Sequence, residues 1–305
     1  MITGHPLQGL GKLHTLRQTL VAMGCYVRNY SLVVFAADNG ISRYGTSNHP
    51  PMHSHLIVDL HLRGLAPTSC LLTRLEKKEI IVDMGLACPL RERGIIDRNL
   101  RPGSRDFLHQ DALMAEEVIA ALEAGRSIWE EISGKEFDII GVGEIGIADT
   151  LCAAALTTAI RGLSPAIYTG KGSGNGKAIA RKTDIIYRAL QKRSPDPGSV
   201  VDLLSRFGGL EIAGLTGFIS RAPECGIPIM LDGYVTSVAA LLASMIEPRV
   251  RDYLIASSRG DEAGHEPVLH RLGLDYIFDL NLNHGEGLAA VLGLFLASLV
   301  EEFYK

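Results

Sequence analysis

Five short apolar runs, rich in β-branched residues and each breaking into glycine or a polar residue, recur along the chain at 31–38, 80–85, 137–143, 227–232 and 253–257. They are continuously apolar rather than alternating, the pattern of strands buried on both faces. Longer stretches with helical spacing, such as 115–124 and 237–246, lie between them. Buried strands alternating with helices predict an α/β fold with a doubly wound, mostly parallel sheet. Ligands of such sheets collect beyond the carboxyl ends of the strands. Those ends read here Asp38-Asn39-Gly40, Gly143-Glu144-Ile145-Gly146, Asp232-Gly233 and Ser257-Ser258.

A length of 305 residues fits one large domain, or a domain with a smaller appendage. The two ends, 1–24 and 285–305, read as helix and loop and are expected to pack together as a small helical lobe beside a nucleotide-binding domain spanning 25–284. A net charge of -4 with no basic run argues against nucleic acid. Five cysteines without a C-x-x-C pair argue against a zinc ribbon or a disulfide framework, and so for a reducing compartment. With no basic and apolar leader at Met1-Ile-Thr-Gly-His-Pro, the expected location is the cytoplasm. The most apolar stretch, Leu288–Val300, is shorter than the ~20 residues that span a bilayer and reads as a buried helix.

Three segments have the composition of ligand loops. Gly141-Val-Gly-Glu144-Ile-Gly146-Ile-Ala-Asp149-Thr150 joins a strand to an alanine-rich helix over 151–160. Free N–H groups and the positive dipole end at such a turn suit a phosphate; the plainer alternative is a tight turn with Asp149 or Thr150 as N-cap. Gly170-Lys171-Gly172-Ser173-Gly174-Asn175-Gly176 could wrap a phosphate or sugar with backbone donors, with Lys177, Arg181 or Lys182 supplying charge, or be a surface loop. Asn283-His284-Gly285-Glu286-Gly287 flanks a carboxylate with glycines before an apolar helix. Glu286 is then either an uncrowded general base or a carboxylate that complements the helix dipole. His49, His53, His55 and His61 crowd one region, but their spacing gives no clean helical face for a metal.

These segments in this order resemble the nicotinate-nucleotide:dimethylbenzimidazole phosphoribosyltransferases of cobalamin lower-ligand assembly. His5-Pro-Leu-Gln-Gly-Leu-Gly11 is similar to the family's K-P-x-G-S-L-G, and Phe35-Ala-Ala-Asp38-Asn39-Gly40 to its F-A-A-D-H-G. Gly143-Glu144-Ile-Gly146-Ile-Ala-Asp149-Thr150 is similar to G-E-M-G-I-G-N-T, Gly170-Lys-Gly-Ser-Gly174 to G-R-G-T-G, and Gly285-Glu286-Gly287 to R-L-G-E-G-[ST]-G. The longest similarity covers 210–243, with Gly214-Leu-Thr216-Gly217 and Leu231-Asp232-Gly233.

The resemblance implies a Rossmann-like sheet domain with a small helical domain, assembled as a homodimer or as a heterodimer with a homologue. It implies transfer of phosphoribose from nicotinate mononucleotide to a ring nitrogen of an aromatic base, with inversion at the anomeric carbon and neither metal nor cofactor. Glu286 and Glu144 match the catalytic positions. Gly146, Asp149, Thr150, Gly172, Ser173, Gly174 and Lys182 match the phosphate and ribose region, and the segment with His49 and Met52 matches the aromatic-base side. Ser257 and Arg259 are expected to touch substrate too, Arg259 as a compensating cation.

Several positions depart from the family pattern. Asp149 stands for asparagine, which is expected to set an ionised carboxylate beside the phosphate, where like charges oppose each other. Asn39 stands for histidine, Asn283-His284 for Arg-Leu, Leu288 for a small hydroxyl residue, and Ser257-Ser258-Arg259-Gly260 for S-H-x-S. The chain is also shorter at both ends than the family pattern. The alternative implied is a catalytically weak paralogue serving as partner subunit of an active homologue.

Overall fold

The computed structural model describes residues 9–90, 94–132, 137–300 and 302–304; the first residues of the 5–11 motif lie outside them. Seven strands form one sheet in the order β3-β2-β1-β4-β5-β6-β7, every neighbouring pair parallel. They are β1 Tyr30–Ala37, β2 Glu79–Gly85, β3 Ile95–Asp97, β4 Ile139–Ile145, β5 Ile229–Leu231, β6 Leu254–Ser258 and β7 Tyr276–Phe278. The chain order reverses between β1 and β4, the switch point at which doubly wound sheets open a crevice.

The unbroken apolar runs are explained by the two faces. Val33 and Phe35 point into a core with Val82, Met84 and Val142, covered by the helices Ala115–Ile132, Leu210–Ser220 and Tyr234–Ile246. Their neighbours Leu32 and Val34 point the other way, into a core with Ile81, Leu16, Leu20, Ala290 and Leu294. Alternation of side chains along a strand demands apolar residues at every position when both faces are covered. Trp129 stacks on Phe218 with ring centroids 4.5 Å apart and donates its indole N–H to the Phe218 carbonyl.

The helices Lys12–Ala22 and Leu288–Val300 pack against each other, and the second lies directly on the sheet over β4, β5 and β6. Leu16, Leu20, Ala290 and Leu294 share their core with Leu32 and Val34 of β1. The lobe expected from 1–24 plus 285–305 therefore has no core of its own among the described residues. The C-terminal helix is apolar enough to leave water only by covering a sheet face, so it becomes part of the main layer. This docking brings Glu286 over the carboxyl end of β4. No described helix is long and apolar enough to cross a membrane.

Candidate active site

A cleft opens beyond the carboxyl ends of β4, β5 and β6, about 1020 Å³ of empty space when its open mouth is included. Glu286 enters it from a turn that has no ordinary backbone: Gly285, Glu286 and Gly287 have φ of 75°, 58° and 79°. Two of the three are glycines, which take this region without a Cβ clash. The turn rests on β4, because a Cβ on Gly143 would come within 2.7 Å of the Gly287 N and Cα atoms. Asp232, at the end of β5, accepts the N–H groups of Gly287, Ala289 and Ala290 at 3.2, 2.7 and 3.1 Å. Asp232 thus complements the helix N-terminus, the plainer role weighed for Glu286, and Glu286 is left for other work.

The Glu286 carboxylate is held by two histidines. Its Oε2 lies 2.9 Å from His61 Nε2 and 3.3 Å from His284 Nε2. Burial alone would push this carboxyl up, but hydrogen bonds from His284 and His61 outweigh it and bring it down to about 2. Burial likewise opposes charging His61, yet its bonds to Glu286 and Glu79 take it up to about 9. Near neutral pH, Glu286 is ionised and His61 is an imidazolium.

The neighbouring carboxylates have the reverse character. Glu144, Glu211 and Asp232 are buried and Asp149 is half-buried beside them. Burial first, then the charges of Asp149, Asp232, Glu211 and Glu286, hold the Glu144 carboxyl well above its usual range. Burial raises Asp149 to about 7, against the Thr150 N–H and the charge of Lys182. It raises Glu211 to about 8, against a hydrogen bond from Asn39 at 2.9 Å. Asp232 reaches about 6. The expected ionised carboxylate is therefore not forced by Asp149, whose carboxyl is raised toward neutrality. A protonated aspartic acid closely mimics the asparagine of the family pattern.

The turn before the helix Asp149–Arg161 is capped by Ala148, in the left-handed region at φ 73°, so neither Asp149 nor Thr150 is the N-cap. The fully buried Lys182 sets Nζ 2.9 Å from Thr150 Oγ1 and supplies positive charge at this helix start. In the glycine loop, Gly172 has φ 56° and no room for a Cβ beside Lys182 Nζ and Thr150 Oγ1. Its N–H already goes to Glu262 Oε1 at 2.6 Å, and that of Gly174 to the Lys171 carbonyl. Asn175 caps the following helix, Gly176–Lys192.

A family model described as phosphoribosyltransferase matches residues 3–304. The nicotinate-nucleotide–dimethylbenzimidazole phosphoribosyltransferase of Roseiflexus sp. (strain RS-1) is 36% identical over 297 residues, covering 95% of this chain and 84% of its own. That of Geobacter sulfurreducens is 34% identical over 295 residues, with the same coverage of the two chains. The crystal structure of CobT from Thermus thermophilus superposes with a TM-score of 0.91 at 31% identity, over 98% of this chain and 91% of the other. The chain belongs to this phosphoribosyltransferase family. A second structure from the same organism, titled as the nicotinate-nucleotide–dimethylbenzimidazole enzyme, agrees with a TM-score of 0.89 at 31% identity.

Of the residues matched to phosphoribosyltransferase motifs, Glu144, Gly146, Asp149, Thr150, Gly172, Ser173, His49 and Glu286 all line the cleft. Others do not. Arg259 points outward to Asp279 at 3.2 Å and Glu266 at 3.5 Å, so it is no substitute cation for the phosphate. Ser257 turns its hydroxyl to the Leu231 and Asp232 carbonyls, and Gly174 is not a lining residue. Met52, at φ 58°, is half-buried beside Gly103 and off the lining. Lys182 is not a lining residue and stands behind Thr150 and Gly172.

Sequence reasoning missed His61, Asp232 and Glu262 as parts of the site. For His61 a signal existed: the helix Ser54–Leu62 buries Ser54, Val58 and His61 along one stripe, and a histidine on a core stripe needs partners.

Proposed function

We propose that this chain moves phosphoribose from nicotinate mononucleotide to a ring nitrogen of dimethylbenzimidazole or a related aromatic base, with Glu286 as the general base. The observation that carries this reading is the Glu286 carboxylate, held by His61 and His284 at the mouth of the strand-end cleft, in a chain whose relatives bear that enzyme name. As the acceptor nitrogen attacks ribose C1, the bond to nicotinate breaks and its electron pair neutralises the pyridinium. The leaving group therefore needs no proton. The acceptor ring becomes cationic as the new bond forms, which makes its remaining N–H a far stronger acid than that of the neutral base and lets a carboxylate accept the proton. A nearby negative charge also favours the oxocarbenium character developing at C1.

Gly146, Thr150, Gly172, Ser173 and Lys182 form the side assigned to phosphate and ribose, with Glu144 between them and Glu286. His49 is on the aromatic-base side. Cys70, Cys88, Cys152 and Cys225 are free thiols, in keeping with the cytoplasm as the working compartment. Nothing observed favours the reading as a catalytically weak partner subunit.

The test is nicotinate release from nicotinate mononucleotide across a panel of aromatic bases. The wild-type chain should turn over, and Glu286→Gln should lower kcat by about 10²–10⁴-fold, the usual range for general-base help. Absence of nucleotide binding by calorimetry together with no nicotinate release would overturn the reading.

A further inference from the structure

His61 is shut away from both cleft and solvent, with a side-chain exposure of 0%. Its two ring nitrogens nevertheless meet two carboxylates from distant parts of the chain. Nδ1 lies 2.6 Å from Glu79 Oε1, at the start of β2, and Nε2 lies 2.9 Å from Glu286 Oε2. A neutral imidazole has one N–H to donate and an ionised carboxylate can only accept. Both contacts are hydrogen bonds between ionised carboxylates and the ring only if the ring carries two protons.

The helix that presents this ring is fastened at its start. Ser54 donates its N–H to Asp38 Oδ1 at the end of β1, and its hydroxyl accepts the Ile147 N–H after β4. His61 is therefore tied to the same two strand ends that form the switch point. Glu286 has the opposite problem. Glycines on both sides of it, all at positive φ, leave its backbone little intrinsic restraint. His284 also bonds Oε2, but it belongs to the same turn and cannot register that turn against the sheet.

Taking Glu286 as the base, we propose that His61, locked by Glu79, is a positioning residue. It pins Oε2 as a charged donor and leaves Oε1 as the oxygen that takes the acceptor's proton. Oε1 has no hydrogen-bond partner among the described residues. The groups facing the His61 ring are Glu79 from β2 and Glu286 and His284 from the turn. Lys77 lines the small cavity behind the ring, with its ammonium over Tyr30.

The experiment is steady-state kinetics against pH on four forms of the full chain. In His61→Ala, kcat should fall about 10²-fold, the cost of a roughly 1 Å misplacement of a reacting group, while KM for nicotinate mononucleotide changes little. Wild type should lose kcat as His61 deprotonates around its value of about 9. His61→Gln keeps a donor toward Glu286 but does not titrate, so it should restore most of the rate and abolish that alkaline limb. Glu79→Gln removes one of the two carboxylates that hold the proton, and the limb should move to lower pH. An unchanged kcat in His61→Ala, or a limb unmoved in both His61→Gln and Glu79→Gln, overturns the proposal. If His61→Ala does not fold, the two conservative variants decide alone. Loss of rate in Glu286→Gln with no effect at His61 sinks only the positioning role; no effect at either residue sinks the base as well.

Discussion

Carboxylates in and behind one cleft stand in two opposite conditions. Glu286 is gripped by histidines and driven down to about 2, whereas burial lifts Asp149, in the cleft, to about 7 and Glu211, behind Gly146, to about 8. Residue type does not decide this. Glu286 has two imidazole partners for its charge, whereas Glu211 has the Asn39 amide and a backbone N–H, and Asp149 a single N–H and a hydroxyl-bonded lysine. Environments that push like groups apart are how one site keeps one carboxylate charged for chemistry and another neutral for binding. Under the proposed function, the second set would meet a phosphate dianion without fixed negative charge at Asp149 and Glu211.

The contrast can be broken first at the Glu286 side. Gly143→Ala would drive a Cβ into the Glu286–Gly287 backbone and move Glu286 off its histidines. We expect kcat to fall by about 10²-fold, as for a 1 Å displacement, with a stability loss of about 1–3 kcal/mol from overpacking; unchanged kinetics would show that this contact does not place the base. A smaller effect is expected at Asp149. Because a bound phosphate would push its proton affinity higher still, nucleotide binding should take up a proton and weaken as pH rises above 7. Asp149→Asn should remove both the uptake and the pH dependence, tightening binding at pH 8 by roughly tenfold, one unit of pKa being worth ~1.4 kcal/mol. Calorimetry in buffers of differing ionisation enthalpy measures the uptake, and an Asn variant that still takes up the proton would place it elsewhere.

The smallest effect is on stability without ligand. Asp149, Glu211 and Asp232 bind protons more tightly folded than unfolded, so their contribution is complete below about pH 4 and is lost as pH rises through 6 to 8. His61, also raised on folding, loses its contribution between about 6.5 and 9, in the same direction. Tm should therefore fall from pH 6 to pH 8.5 by roughly 2–4 °C per kcal/mol lost. The double change Asp149→Asn with Glu211→Gln should flatten that slope, and an equally steep slope in the variant would exclude these two groups as its origin.

Much of the scaffold was legible in the chain. The five apolar runs are β1, β2, β4, β5 and β6, because strands covered on both faces cannot hide their composition. The edge strands β3 and β7 were not visible: each has only three residues, half-exposed, and is defined by its neighbour more than by its sequence. Within the site, glycines at fixed spacing marked Gly146, Gly172 and Glu286, since backbone demands are local. Direction is not local. Nothing in Ser257-Ser258-Arg259-Gly260 tells that the guanidinium turns outward to Asp279, or that His61 reaches a glutamate 225 positions away. The proton affinity of Asp149 is hidden for the same reason, since Lys182, Glu262 and Glu286, far off in sequence, all act on it.

The resting place of Glu286 on Gly143 also sets an order of events. Every strand precedes Glu286 in the chain, and the turn at Gly146 to Thr150 is made long before it. Domains fold as units, and the helix Leu288–Val300 that follows Glu286 covers one face of the sheet. Glu286 is therefore set in place last, by the same docking step that completes the core, and a chain cut short before that helix would lack both the base and the fold that carries it.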